Sequence, residues 1–155
     1  LKQVLSTTGG KVPIILEVDA GPGNHLGAKF EHIRDIIKQV GSDQIKVCLD
    51  TCHAYAAGYD LGTKEGIDTT IKDFDKIIGL DRLVVLHLND SKGELGSHLD
   101  RHEIIGQGHI GIEAFRYIVN HPKLKNLTGI VETPDIKGLA DEQHSVDILK
   151  NLRKS

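Results

Sequence analysis

The sequence predicts an α/β protein built on a parallel sheet, and three observations carry that expectation. Four short runs rich in Val, Ile and Leu recur along the chain. Stretches with apolar residues at steps of three and four separate them. Each run also ends, on its C-terminal side, in a residue of metal-ligand type: Glu17, Asp50, His87 and Glu132.

Taken in order, Leu1–Thr7 reads as the tail of a helix closed by Gly9-Gly10. Val12–Val18 (VPIILEV) is the first strand candidate; a continuous apolar run suits a strand buried on both faces. Leu26, Phe30, Ile33, Ile37 and Val40 then mark one apolar helical face. Ile45–Asp50 (IKVCLD) is the second strand. Ile67, Ile71, Phe74 and Ile78 give the next helix, with Gly79 placed to stop it. Arg82–Asn89 (RLVVLHLN) is the third strand. Ile112, Phe115 and Val119 mark a helix that His121-Pro122 ends, because the residue before proline is pushed out of the helical region. Leu127–Thr133 (LTGIVET) is the fourth strand. Val146, Leu149 and Leu152 mark a last helix, with Asp141 as its expected N-cap. This βα alternation fits both an open doubly wound sheet and half of a closed (β/α)8 barrel, and the pattern alone leaves the two open. Neither GxGxxG nor a Walker sequence supports a nucleotide-binding version.

The 155 residues are 39% hydrophobic and 26% charged, an ordinary globular composition for one domain with a substantial core. A net charge of −3 advertises no nucleic-acid partner, but carboxylates that bind cations are counted in that sum while the cations are not. The two cysteines, Cys48 and Cys52, are too few for a disulfide framework and read as buried thiols of a reducing compartment. No apolar run reaches the ~20 residues that span a bilayer, and no secretory signal opens the chain. The expected location is therefore intracellular, cytoplasmic or with the chromosome. The chain begins at Leu1 and has no methionine, as expected of a processed product or part of a longer protein.

Strand ends on the C-terminal side converge on the active-site face of a parallel barrel. Three carboxylates and an imidazole gathered there suit a divalent Zn, Mn or Mg ion. A second set lies close by. His53 follows Asp50 by three residues, on the loop leaving the same strand. Asp100 and His102 flank Arg101, and in extended backbone residues two apart point the same way. His53, Asp100 and His102 thus make a separate three-ligand site with a coordination position left open. His25, His32, His98, His109, His121 and His144 read as ordinary surface or loop histidines. Gly106–Gly111 reads either as a plain flexible loop or as one that approaches a phosphate backbone.

Several segments resemble endonuclease IV, the zinc-dependent nuclease family acting at abasic sites. They are Leu16-Glu17 through Ala20-Gly21, Asp50-Thr51-Cys52-His53-Ala54 with Ala57-Gly58-Tyr59-Asp60, and His87-Leu88-Asn89-Asp90. Asp100-Arg101-His102, Gly106-x-Gly108-x-Ile110-Gly111 and Glu132-Thr133-Pro134 complete the set, in matching order and spacing along nearly the whole chain. The resemblance implies a xylose-isomerase-like TIM barrel, of which residues 1–155 form the C-terminal half, a single partial-barrel domain of strands five to eight. It implies hydrolysis of the phosphodiester 5′ to abasic sites in double-stranded DNA, as in base excision repair. It implies up to three Zn2+ ions. Glu17 would bridge two of them and act on the attacking water, Asp50, His87 and Glu132 would complete the inner site, and His53, Asp100 and His102 would hold the third. Val18-Asp19 and Pro22 depart from the family pattern in the loop after the first strand. The family's first zinc also uses two histidines from earlier strands, in the half that carries its main DNA-penetrating loops. Without that N-terminal half the chain is expected to supply two sites and to be inactive alone. A sugar isomerase or epimerase with a Glu, Asp, His, Glu quartet around one metal is the rival reading; the extra trio is what separates the two.

Overall fold

The computed structural model describes residues 1–155 except 24, 133, 135–138 and 154–155. The chain runs α1 (Lys2–Thr8), β1 (Ile14–Glu17), α2 (Phe30–Val40), β2 (Ile45–Asp50), α3 (Thr51–Ala56) and α4 (Lys64–Ile77). There follow β3 (Leu83–His87), β4 (Asp90–Ser91), β5 (His102–Glu103), α5 (Ile112–Asn120), β6 (Thr128–Ile130) and α6 (Leu139–Leu152). β1, β2, β3 and β6 pair in that order, all parallel. β4 and β5 form a separate antiparallel pair.

The helices sit where their apolar stripes require. Phe30, Ile33, Ile67, Ile71, Phe74, Phe115 and Ile118 are buried and meet Val47, Leu49, Leu83 and Leu86 of the sheet in one apolar core. Phe30 stacks on Tyr59 at 4.0 Å between ring centroids and meets Phe74 edge-on at 5.2 Å. The Tyr59 hydroxyl also accepts from the Phe30 N–H at 3.0 Å, which closes the first turn of α2. Thr63 caps α4 by accepting from Gly66 N–H at 3.0 Å. Gly79 ends it with φ 101°, backbone that side chains rarely adopt.

Several boundaries differ from the sequence expectation. α2 begins at Phe30, and Leu26 lies outside it, exposed. Val12 is exposed ahead of β1, and Arg82 belongs to a 3-10 turn ahead of β3. The fourth strand is only Thr128–Ile130, and Thr133 lies outside the described residues. Asp141 stands in the first turn of α6 and not at its cap. His121, expected at the surface, is 6% exposed and lies 3.3 Å from Asp68, tying the end of α5 to α4. No helix among the described residues is long and apolar enough to cross a membrane.

Candidate metal centre

Register brings the four strand-end residues together. Asp50 pairs directly with His87, so both side chains leave the sheet on one face. Glu17 pairs with Cys48, two residues before Asp50, and His87 pairs with Ile130, two before Glu132. With a side-chain period of two, all four point the same way. Ile15 and Ile130 lie exposed on that face, while the helices bury the other.

The quartet closes around one imidazole. His87 Nδ1 lies 2.9 Å from Glu132 Oε2, 3.3 Å from Glu17 Oε1 and 3.6 Å from Asp50 Oδ2. Despite three carboxylates within reach, this buried nitrogen makes no hydrogen bond of good geometry. Glu17, Asp50, His87 and Glu132 offer one ligand atom each, all within 4.8 Å of one another. Three carboxylates converging on one imidazole nitrogen repel each other unless positive charge stands among them. The donor set fits a divalent metal ion.

The second group forms beside it. His53 is not on a loop, as its sequence position suggested, but in α3, which starts directly at the end of β2. Asp50 Oδ1 caps that helix by accepting from His53 N–H at 2.9 Å. β5 presents His102, with Ser91 opposite it in β4. His53 Nε2 and His102 Nε2 face each other at 3.4 Å, and Asp100 Oδ1 is 3.2 and 3.4 Å from them. His53 Nδ1 lies against the Val18 carbonyl at 3.1 Å and His102 Nδ1 against the Glu132 carbonyl at 2.7 Å. A carbonyl can only accept, so these contacts assign each ring proton to Nδ1 and leave Nε2 as the ligand atom. Asp50 also belongs here: Asp50, His53 and His102 have ligand atoms within 4.8 Å of one another. Sequence spacing placed Asp50 in the inner group alone; the structure sets it between the two.

The electrostatics follow. Burial pushes the Asp50 carboxyl up, but the neighbouring His87, His53 and His102 outweigh it and hold it below the ordinary range. Burial lowers His53, and Glu17, Asp50 and Asp100 overcome it to raise the imidazole to about 10. His87 is raised chiefly by Asp50, with burial opposing and Glu17 and Glu132 adding. Cys48 and Cys52 are pushed by burial to about 12 and about 11, thiols with no anionic form to offer at neutral pH.

Sequence reasoning left three buried polar residues of these motifs without roles. Thr51 Oγ1 donates to the Asn89 carbonyl at 2.6 Å and accepts from the Asn89 N–H at 2.9 Å, tying α3 to the end of β3. The Asn89 side chain reaches Asp50 and Glu132. Asp90, fully buried, accepts from the N–H groups of Ser91, Gly106, Gly108, Ile110 and Gly111 at 2.8 to 3.4 Å. The glycine-rich loop therefore wraps an internal carboxylate. The only available signal was polarity immediately after a strand end, which has many ordinary uses.

Comparison with known proteins agrees with this architecture. Residues 1–154 match the family described as "Xylose isomerase-like TIM barrel". A probable endonuclease 4 of Chloroflexus aurantiacus is 43% identical over 145 residues, 93% of this chain and 51% of that protein. The apurinic-apyrimidinic endonuclease 1 of Plasmodium falciparum is 52% identical over 144 residues, 92% of this chain and 24% of that protein. The crystal structure of endonuclease IV from Thermus thermophilus superposes with a TM-score of 0.84 at 36% identity, covering 97% of this chain and 54% of that one. The likeness to endonuclease IV and the barrel-type fold expected from the sequence are both borne out. The chain spans about half the length of the endonuclease 4 relatives it matches.

Proposed function

The chain belongs to the xylose isomerase-like TIM-barrel family, and on that premise we propose that it carries part of the active site of a zinc-dependent endonuclease that cuts DNA 5′ to abasic sites. Residues 1–155 are read as one domain, strands five to eight of the barrel. The observation that carries the proposal is the sharing of Asp50 between the quartet Glu17, Asp50, His87 and Glu132 and a second group that holds two histidines, His53 and His102. Glu17, Asp50, His87 and Glu132 would hold metal in the first group, and His53, Asp100 and His102 with Asp50 in the second. An isomerase that polarises a carbonyl with one ion needs only the quartet. The imidazole nitrogens favour zinc over magnesium.

Bound metal ions would lower the pKa of water from about 15.7 toward 7 and neutralise phosphoryl oxygens. The chain's own residues supply the rest. Glu17 Oε1 lies 3.1 Å from His53 Nδ1 and 3.3 Å from His87 Nδ1, and its side chain is 38% exposed, so it is open to solvent at the junction of the groups. There it orients the attacking water and takes its proton. Asp50, wholly buried, fixes the spacing of the two groups. Selection for abasic sites in double-stranded DNA would follow if an extruded sugar lacking its base enters where a full nucleotide cannot.

The test is nicking of a labelled duplex containing one abasic site by the full-length natural protein. Activity should disappear on prolonged chelation and return with zinc. Glu17→Gln should cut roughly 100-fold more slowly, the usual scale of a lost general base. Isomerisation of a free sugar without nicking would refute the assignment.

A further inference from the structure

We propose that Asn89 is the positioning residue of the metal centre: its carboxamide fixes Asp50 and Glu132 in the orientation that binds the ions. The inference rests on the metal-dependent reading above and extends it to a residue that supplies no ligand atom. Asn89 is 1% exposed. Its Nδ2 donates to Asp50 Oδ2 at 2.6 Å and to Glu132 Oε2 at 3.3 Å, so both amide protons go to carboxylates. Its Oδ1 accepts from the Glu132 N–H at 2.8 Å. The opposite amide orientation would set Oδ1 against two carboxylates and NH2 against an N–H, so the contacts allow one assignment.

The consequence is geometric and electrostatic. Asp50 is held at both oxygens, Oδ1 by the His53 N–H and Oδ2 by Asn89. Glu132 stands two residues beyond the end of β6 and lacks the strand's own ladder to hold it; Asn89 grips it at the backbone and at the side chain. A neutral double donor between two carboxylates offsets their repulsion without adding a positive charge that would compete with the cation. Thr51 in turn fixes the Asn89 backbone from α3. The support therefore runs through residues of β2, α3, the segment after β3 and the segment after β6.

Zinc affinity, measured by competition with a chromophoric chelator, and the visible spectrum of the cobalt(II) form test this on the full-length natural protein. Asn89→Ala should weaken zinc binding roughly 10- to 100-fold, as loss of groups that orient ligands does, and should shift the cobalt bands in protein whose circular dichroism is native. Asn89→Ser, which keeps a small hydroxyl acceptor, serves where the alanine variant fails to fold and should change both readouts in the same direction. Native affinity and spectrum in either folded variant, with zinc binding lost in Asp50→Ala, would overturn the positioning role and leave the metal-dependent reading standing. Native zinc binding in Asp50→Ala as well would bring down both.

Discussion

A carboxylate with no exposed surface is costly unless partners hold it, and Asp50 has partners on every side. Its Oδ2 stands 3.6 Å from His87 Nδ1 and 4.0 Å from both His53 Nδ1 and His102 Nε2. Proton and metal therefore compete for one set of atoms. His53 is held protonated up to about 10, well above its ordinary 6.5, and a metal ion requires it neutral, so uptake must release protons. Zinc affinity should climb as pH rises from about 6.5 toward 10, read by competition titrations at several pH values; a flat profile would contradict the assigned proton. In metal-free protein the sign reverses. The raised His53 contributes stability that is complete below about 6.5 and lost as pH rises through about 10. The lowered Asp50 contributes stability present above its ordinary 3.8 and lost as pH falls through its depressed value. These describe one ion pair from two sides and are not added. The candidate ligands were legible because Glu, Asp, His and Glu at four consecutive strand ends make a pattern. Asn89, Thr51 and Asp90 were not, since their roles depend on partners 16 to 43 residues away.

At the scale of elements, the long apolar runs and helical stripes gave the layers correctly, because burial period is a local property. The short elements escaped: α3, and the β4–β5 pair that presents His102. Six-residue and two-residue elements carry no period of their own. They exist because Asp50 caps one and the Asp90 carboxylate organises the loop beside the other. Asp90 gathers N–H groups from a loop of three glycines, where a Cβ on Gly108 would collide with the Ser91 carbonyl and approach Asp90 Oδ1 at 2.5 Å. Removing the acceptor leaves several buried N–H groups unpaired, at about 1–3 kcal/mol each. Asp90→Ala should therefore lower unfolding free energy by more than about 3 kcal/mol, and Gly108→Val should also destabilise, in chemical denaturation. A loss below about 1 kcal/mol for Asp90→Ala would mean that the loop finds other partners and that the carboxylate is not its organiser.

At the scale of the whole molecule, the sheet ends in β1 on one side and β6 on the other, each with one described neighbour. Unpaired parallel edges are templates for further pairing. The face that carries the metal centre also exposes Ile15 and Ile130, 42% and 43% accessible, beside the charged cluster. All three residues of β6 are exposed, whereas β2, between two neighbours, is buried at five of six positions. A closed barrel of this class has eight strands and typically about 250 residues, and the endonuclease 4 relatives are about twice the length of the matched segment. Residues 1–155 expressed alone should therefore dimerise or aggregate, because burying Ile15, Ile130 and the sheet edges is favourable and nothing among the described residues covers them. They should bind less zinc than the full-length protein and show no measurable nicking of abasic DNA, since the metal centre would stand on a sheet face that the described residues leave uncovered. Sedimentation together with the nicking assay on the purified segment checks both points. A stable monomer cutting at the rate of the full-length protein would show that four strands suffice to build the site.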